Sequence, residues 1–175
     1  MCRLMFAAVF GSVLVLGCAG ARTEADTSLA KARSLPPALC ADASAAERVV
    51  ALDRLPLPLS VDREIHGNIA TKVTSIPARY GTTLVVPAPA SVSPAWLQRT
   101  ITCHQADVAL GDTQPRADDP FAVPADWLQV DVRADGATLV VRLEPTDRGH
   151  SAEVLDRARR WAQRQPAAHA APVAP

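Results

Sequence analysis

Residues 127–143 read WLQVDVRADGATLVVRL, and this stretch decides the fold class. Before the turn, apolar residues alternate with polar ones, which is the two-residue period of a half-buried strand. Asp135-Gly136 predicts a tight hairpin turn, because glycine accepts a positive φ without steric cost. Residues 137–143 are rich in β-branched side chains, so they predict a second strand, antiparallel to the first.

The hairpin is followed by the pattern of an amphipathic helix. Ser151 is predicted to cap this helix, and its apolar stripe consists of Val154, Leu155, Ala158, Trp161 and Ala162. A hairpin followed by such a helix resembles small periplasmic modules such as the BON domain. Glu144-Pro145 stands where that family has its glycine pattern, so the resemblance carries no function to this chain.

An earlier segment repeats part of this pattern. Residues 81–86 (GTTLVV) match residues 136–141 (GATLVV) at five of six positions. A helix is predicted after the first copy too, capped by Ser93, begun by Pro94 and ended by Gly111. The sequence therefore predicts an α+β fold with a small antiparallel sheet and helices on one face. The alternatives are two ββα units or two strands that share a short motif by chance.

The remaining segments are less sharply patterned. Ser44 and Glu47 have capping-box spacing and predict a short helix, which Pro56 ends. One strand is expected somewhere in residues 64–76. Residues 111–126 contain several prolines and aspartates and predict a long loop.

The amino terminus has the pattern of a secretory signal. Arg3 precedes residues 4–16, a run of 13 residues without charge, whereas a membrane-spanning helix needs about 20 apolar residues. The run ends in VLGCAGA, around Gly17-Cys18, and this resembles the lipobox of bacterial lipoproteins. The resemblance covers residues 1–20 and implies cleavage after Gly17 and a diacylglyceryl thioether on Cys18.

The lipobox resemblance implies a location in the bacterial cell envelope, with the membrane as partner through the lipid on Cys18. In the enterobacterial sorting pattern, Ala19 after the cysteine indicates the outer membrane, with the domain facing the periplasm. An ordinary signal peptide with a chance cysteine and an uncut anchor are the alternatives. The expected organisation is a signal peptide (1–17), a lipidated tether (18–37), one α+β domain (38–165) and a disordered tail (166–175).

After removal of the signal peptide, the chain keeps Cys40 and Cys103 in addition to the lipidated Cys18. Paired thiols in an oxidising compartment tend to be oxidised, so a Cys40–Cys103 disulfide is expected. Two buried thiols, or a soft metal site that also uses His66 or His104, are the alternatives. No CxxC, HxxxH or HExxH spacing supports a metal site, and we assign neither a metal nor a cofactor.

Three histidines are the base candidates for catalysis: His66, His104 and His150. The sequence has no GxSxG elbow and no glycine-rich phosphate cradle, so we assign no catalytic residue. His104 lies on the apolar stripe of the helix from residue 94. A histidine in such a position is more often a core residue hydrogen-bonded to backbone than a metal ligand.

Two clusters of charge have ordinary explanations. Asp112, Asp118 and Asp119 lack the EF-hand spacing and predict a solvated acidic loop. Arginines on the last helix at residues 157, 160 and 164 suit an acidic surface such as anionic lipid. Acidic residues four positions before Arg157 and Arg160 instead favour an exposed helix face with i,i+4 ion pairs.

The charge balance restricts the class of partner. The chain has 18 basic and 18 acidic residues, so the electrostatic case for nucleic-acid binding is absent. The sequence predicts a membrane-anchored envelope protein that works as a binding or assembly module with an envelope partner. A small envelope hydrolase and a metal-handling protein are the alternative functions.

Overall fold

The computed structural model describes residues 23–66 and 79–164. It confirms the α+β class, with four α-helices and four strands in the described ranges. The elements in chain order are α1 (Glu24–Ser34), a 3-10 turn (Pro37–Leu39), α2 (Ala45–Asp53), β1 (Ser60–His66), β2 (Arg79–Pro87), α3 (Pro94–Leu110), β3 (Leu128–Asp135), β4 (Thr138–Pro145), a second 3-10 turn (Arg148–His150) and α4 (Ser151–Ala162).

The four strands form one antiparallel sheet in the order β1-β2-β4-β3. The first of the two similar hexamers, residues 81–86, therefore lies in central strand β2, and the second, residues 136–141, runs from the hairpin turn into central strand β4. Val85 lies directly opposite Val140, and these valines hold the same position in the two hexamers. The β2–β4 pairing is thus symmetric about this point, as expected for two ββα units that meet across a local two-fold axis.

Both long helices pack against the same face of the sheet. The helix of each ββα unit packs on strands of the other unit. Helix α3 lies on β3, and α4 lies on β1 and β2. The buried core between them is aliphatic, closed by an edge-to-face contact between Phe121 and Trp161. Its central members are Leu84, Val86, Leu97, Ile101, Leu139, Val141, Leu143, Val154 and Ala158.

The opposite face of the sheet carries a polar cluster across β1, β2 and β4. Thr83 and Arg142 are direct neighbours on β2 and β4. Both donate a hydrogen bond to Oε2 of Glu64 on β1. The donor–acceptor distance is 2.7 Å for Thr83 Oγ1 and 2.6 Å for Arg142 Nε. Glu64 pairs with Gly81, so no side chain on β2 blocks its reach toward β4.

The local signals for three element boundaries are confirmed. Ser44 and Glu47 form the predicted capping box of α2. The Ser93 hydroxyl accepts a hydrogen bond from Trp96 N–H at the start of α3, and Gly111 ends that helix with φ 83°. Each signal depends on a few neighbouring residues, so tertiary contacts do not override it.

The amino-terminal segment differs from the predicted tether. Residues 24–34, expected within it, form α1, which begins with a capping box between Thr23 and Asp26 and packs against α3. Its buried face consists of the small residues Ser28 and Ala32. A stripe of small side chains has almost no hydrophobic periodicity, so the sequence pattern does not reveal this helix.

Two further boundaries are corrected. The first strand begins at Ser60, earlier than the predicted range 64–76; residues 67–78 lie outside the described ranges. Ser151 does not cap the last helix: its hydroxyl is buried without a hydrogen-bond partner among the described residues. Asp147 instead begins the preceding 3-10 turn by accepting a hydrogen bond from Gly149 N–H at 3.0 Å.

The signal peptide, Cys18 and the tail from residue 166 lie outside the described residues. Within residues 23–66 and 79–164, none of the helices combines the length and apolar character required to cross a bilayer.

Candidate functional site

Cys40 and Cys103 form the predicted disulfide, with an S–S distance of 1.98 Å and a Cα–Cα distance of 5.6 Å. The Cys103 residue is 1% exposed, on the face of α3 that points into the protein. The bond ties the segment before α2 to this central helix. The two sulfur atoms are bonded to each other, so neither is available as a thiolate ligand for the alternative copper or zinc site.

His104 is a core residue, as its place on the apolar stripe predicted, but its partner is not backbone. The ring is buried, and Nε2 lies 2.7 Å from Oδ2 of Asp119. The other oxygen of Asp119 accepts a hydrogen bond from Phe121 N–H at 2.9 Å, which fixes the carboxylate. His104 Nδ1 has no hydrogen-bond partner among the described residues.

A small cleft lies beside the His104–Asp119 pair. Its volume is about 20 Å³, enough for roughly one water molecule. Among the described residues that line it, none is a serine, threonine or cysteine. The cleft therefore offers an oriented histidine without the nucleophile that acyl transfer requires. His66, another base candidate, has its side chain outside the described part.

In the acidic loop, Asp112 is exposed as predicted, whereas Asp118 and Asp119 are paired with basic side chains. Arg164 donates to both Asp53 and Asp118, and Arg116 contacts the same two carboxylates. The hydrogen bond from Arg164 lowers the pKa of Asp118. Because arginine and histidine occupy the carboxylates of Asp118 and Asp119, these groups are not free calcium ligands.

The arginines of α4 hold this loop in place. Arg157 forms the predicted pair with Glu153, and its Nη1 also donates to the Arg116 carbonyl at 2.8 Å. Arg160 donates to the Ala117 carbonyl at 2.7 Å. The predicted picture of an exposed, solvated helix face is wrong for Arg157, which is buried, because long side chains reach loop carbonyls as well as neighbouring carboxylates.

The third histidine, His150, lies in an acidic junction between α1 and the turn before α4. Its ring and the carboxylates of Glu24 and Asp147 place ligand atoms within 4.8 Å of one another. Nδ1 of His150 is 3.2 Å from Oδ2 of buried Asp126. Desolvation and the Asp147 carboxylate raise the pKa of Glu24. Contacts within the protein account for this cluster, and we assign it no metal.

Sequence reasoning overlooked Ser28 and Lys31, which have the SxxK spacing of some serine acyl-transfer enzymes. Ser28 is buried on α1. The Lys31 ammonium lies 5.1 Å from the centre of the Trp127 ring, and burial lowers its pKa. No hydrogen bond joins Ser28 to Lys31 in the described ranges, so the spacing does not produce an activated serine.

These sites can be interpreted only from their own chemistry. The chain was compared with known protein families, with curated proteins and with solved structures, and none of them matches it.

Proposed function

We propose that the protein is a lipid-anchored module of the bacterial cell envelope that works by binding or assembly rather than by catalysis. The anchor is the lipid on Cys18, and the domain faces the periplasm from the outer membrane. The observation that carries the location is the Cys40–Cys103 disulfide, because such bonds persist in oxidising compartments and are rare in the cytosol.

The absence of an assembled nucleophile supports binding over hydrolysis. In the described part of the chain, His104 and Asp119 are oriented by hydrogen bonds, but their cleft holds only about one water and no hydroxyl or thiol side chain lines it. The disulfide likewise removes the two sulfurs on which metal handling would depend. Five residues, 19–23, separate Cys18 from α1, which packs on α3, so the proposed anchor is close in sequence to the folded domain.

The experiment is metabolic labelling of the full-length chain with radioactive palmitate, followed by carbonate washing of the membranes. We expect the native protein to carry label and to stay with the washed membranes, and Cys18→Ser to lose both properties. Cys2→Ser is the matched control, since Cys2 precedes the predicted cleavage site, and it should keep both. Label or retention that survives Cys18→Ser would refute the lipoprotein assignment.

A further inference from the structure

Strand β3 forms one edge of the sheet, and in the described ranges no other strand pairs with its side away from β4. It contains neither proline nor lysine, and its register with β4 is unbroken from residue 128 to residue 135. Native edge strands are commonly shortened, bulged or marked by such residues, because a long regular edge pairs with further strands. These devices are absent from β3, whose charged residues alternate in sign.

The backbone of β3 presents a row of hydrogen-bonding groups along this edge. In an antiparallel sheet, alternate residues of an edge strand direct N–H and C=O toward the neighbouring strand, and the residues between them direct both groups outward. The Trp127 carbonyl accepts a hydrogen bond from Thr146 N–H, just after β4. Leu128 N–H instead points away from β4 and donates to Gln105 on α3. The even-numbered residues therefore face outward. Beyond Leu128 they are Val130, Val132 and Ala134.

The exposed side chains of β3 include an acid and a base two positions apart. Asp131 and Arg133 both project from the face of the sheet opposite the helices. In its own subunit, Arg133 lies opposite Val140, and Asp131 lies opposite Arg142. Nε and Nη2 of Arg142 both donate to Glu64, so Glu64 is the bonded partner of this guanidinium. Asp131 and Arg133 are therefore left exposed, in position to meet charges on an added strand.

We propose that two copies of the protein associate through β3, antiparallel and with a two-fold axis at Val132, so that their four-stranded sheets become one. Val132 then faces Val132 of the second copy as a hydrogen-bonded pair. On each side of the axis, Asp131 of one copy faces Arg133 of the other. Such intervening pairs bring Cβ atoms to about 4.5–5.5 Å, which allows two ion pairs. On the helix-covered face, Val130 meets Ala134 of the second copy, so that row is apolar.

The alternation of charge selects this register. An axis at Asp131 places two Asp131 carboxylates face to face, and an axis at Arg133 places two guanidinium groups face to face. These are the neighbouring registers in which outward backbone groups still meet, and like charges directly opposite each other destabilise a strand pair. The inference rests on the assembly role proposed above and names the partner as a second copy of this chain.

Analytical ultracentrifugation of the full-length protein, purified in mild detergent, tests the proposal. One strand from each copy makes a small interface, so we expect a Kd of about 10 μM and a largely dimeric protein at about 100 μM. Asp131→Arg and Arg133→Asp each replace two attractions with two repulsions, and each should weaken dimerisation at least about tenfold. The control is Asp62→Arg, a charge reversal at an exposed position of β1, which should dimerise as the native protein does.

Combining the two substitutions separates strand pairing from folding. The double variant Asp131→Arg/Arg133→Asp exchanges the charges and should restore dimerisation, as should an equal mixture of the two single variants. A variant that had failed to fold could do neither. Monomeric native protein at about 100 μM, dimers that persist in both single variants, or a loss of dimers that neither combination restores would overturn the proposal.

The self-association and the lipid anchor are judged separately, because palmitate labelling does not depend on β3. A monomer that keeps its label would remove only the self-association. A dimer without label would remove only the anchor.

Discussion

Arg48 and Asp107 form a bidentate ion pair inside the protein. Nε lies 2.7 Å from Oδ2 and Nη2 lies 2.7 Å from Oδ1, and the two side chains are only 8% and 9% exposed. Arg48 Nη1 also donates to the Cys40 carbonyl at 3.0 Å. One guanidinium therefore joins α2, α3 and the chain at the disulfide.

Loss of the Asp107 carboxylate should destabilise the protein strongly. Asp107→Ala leaves a buried guanidinium without its counter-ion, and such a loss costs about 3–5 kcal/mol of unfolding free energy. Urea denaturation gives the value. The control is Asp42→Ala, which removes the partner of Arg99 in a pair that is 40% and 50% exposed, and should cost less than about 1 kcal/mol. Comparable losses in the two variants would show that burial does not govern this pair.

The disulfide gives a prediction about thiols and about stability. Protein isolated without reductant and then denatured should show no free thiol at Cys40 or Cys103. The bond joins positions 63 residues apart, and replacing both cysteines with serine should cost about 2–5 kcal/mol. Thiol titration and urea denaturation provide the two measurements. Reactive thiols at both Cys40 and Cys103 in unreduced protein would contradict the pairing and reopen the metal-binding alternative.

Asp118 should make stability depend on pH. The hydrogen bond from Arg164 lowers its pKa in the folded protein, so the unfolded chain binds a proton more readily. The stabilisation is complete above the ordinary aspartate pKa and is lost as pH falls through the lower, folded pKa. Asp118→Asn should thus be less stable than the native protein at about pH 7, with the difference shrinking toward about pH 2. A difference that is constant over this range would exclude the ionised carboxylate as its source.

Replacing Ala125 with glycine should increase the stability of the folded protein. At φ 65° an alanine is strained and a glycine is not, so Ala125→Gly should raise the unfolding free energy by up to about 1 kcal/mol. The control is Ala134→Gly, at an exposed position of β3, where glycine should cost about 0.5–1 kcal/mol. Thermal unfolding of both variants measures the contrast. Destabilisation of similar size in both would show that Ala125 is not strained in solution.

Local patterns predicted much of the fold and little of the candidate sites. The hairpin at Asp135-Gly136 and the ends of α3 at Ser93 and Gly111 follow from preferences of a few adjacent residues. The α1 helix was missed because its buried face consists of small residues, which carry little hydrophobic signal. The cleft beside His104 and Asp119 was missed because α2, α3 and the loop of residues 111–126 build it together.

The sequence by itself determined the α+β class, the two similar strands and the two cysteines available for pairing. Each of these depends on periodicity, turn chemistry or the count of a residue type. Tertiary structure alone decided that His104 meets Asp119, that Arg48 meets Asp107 and that Arg164 meets Asp118. These partners lie 15 to 59 residues apart. Their meeting depends on how α2, the loop of residues 111–126 and the end of α4 pack around α3, and no local backbone preference encodes that packing.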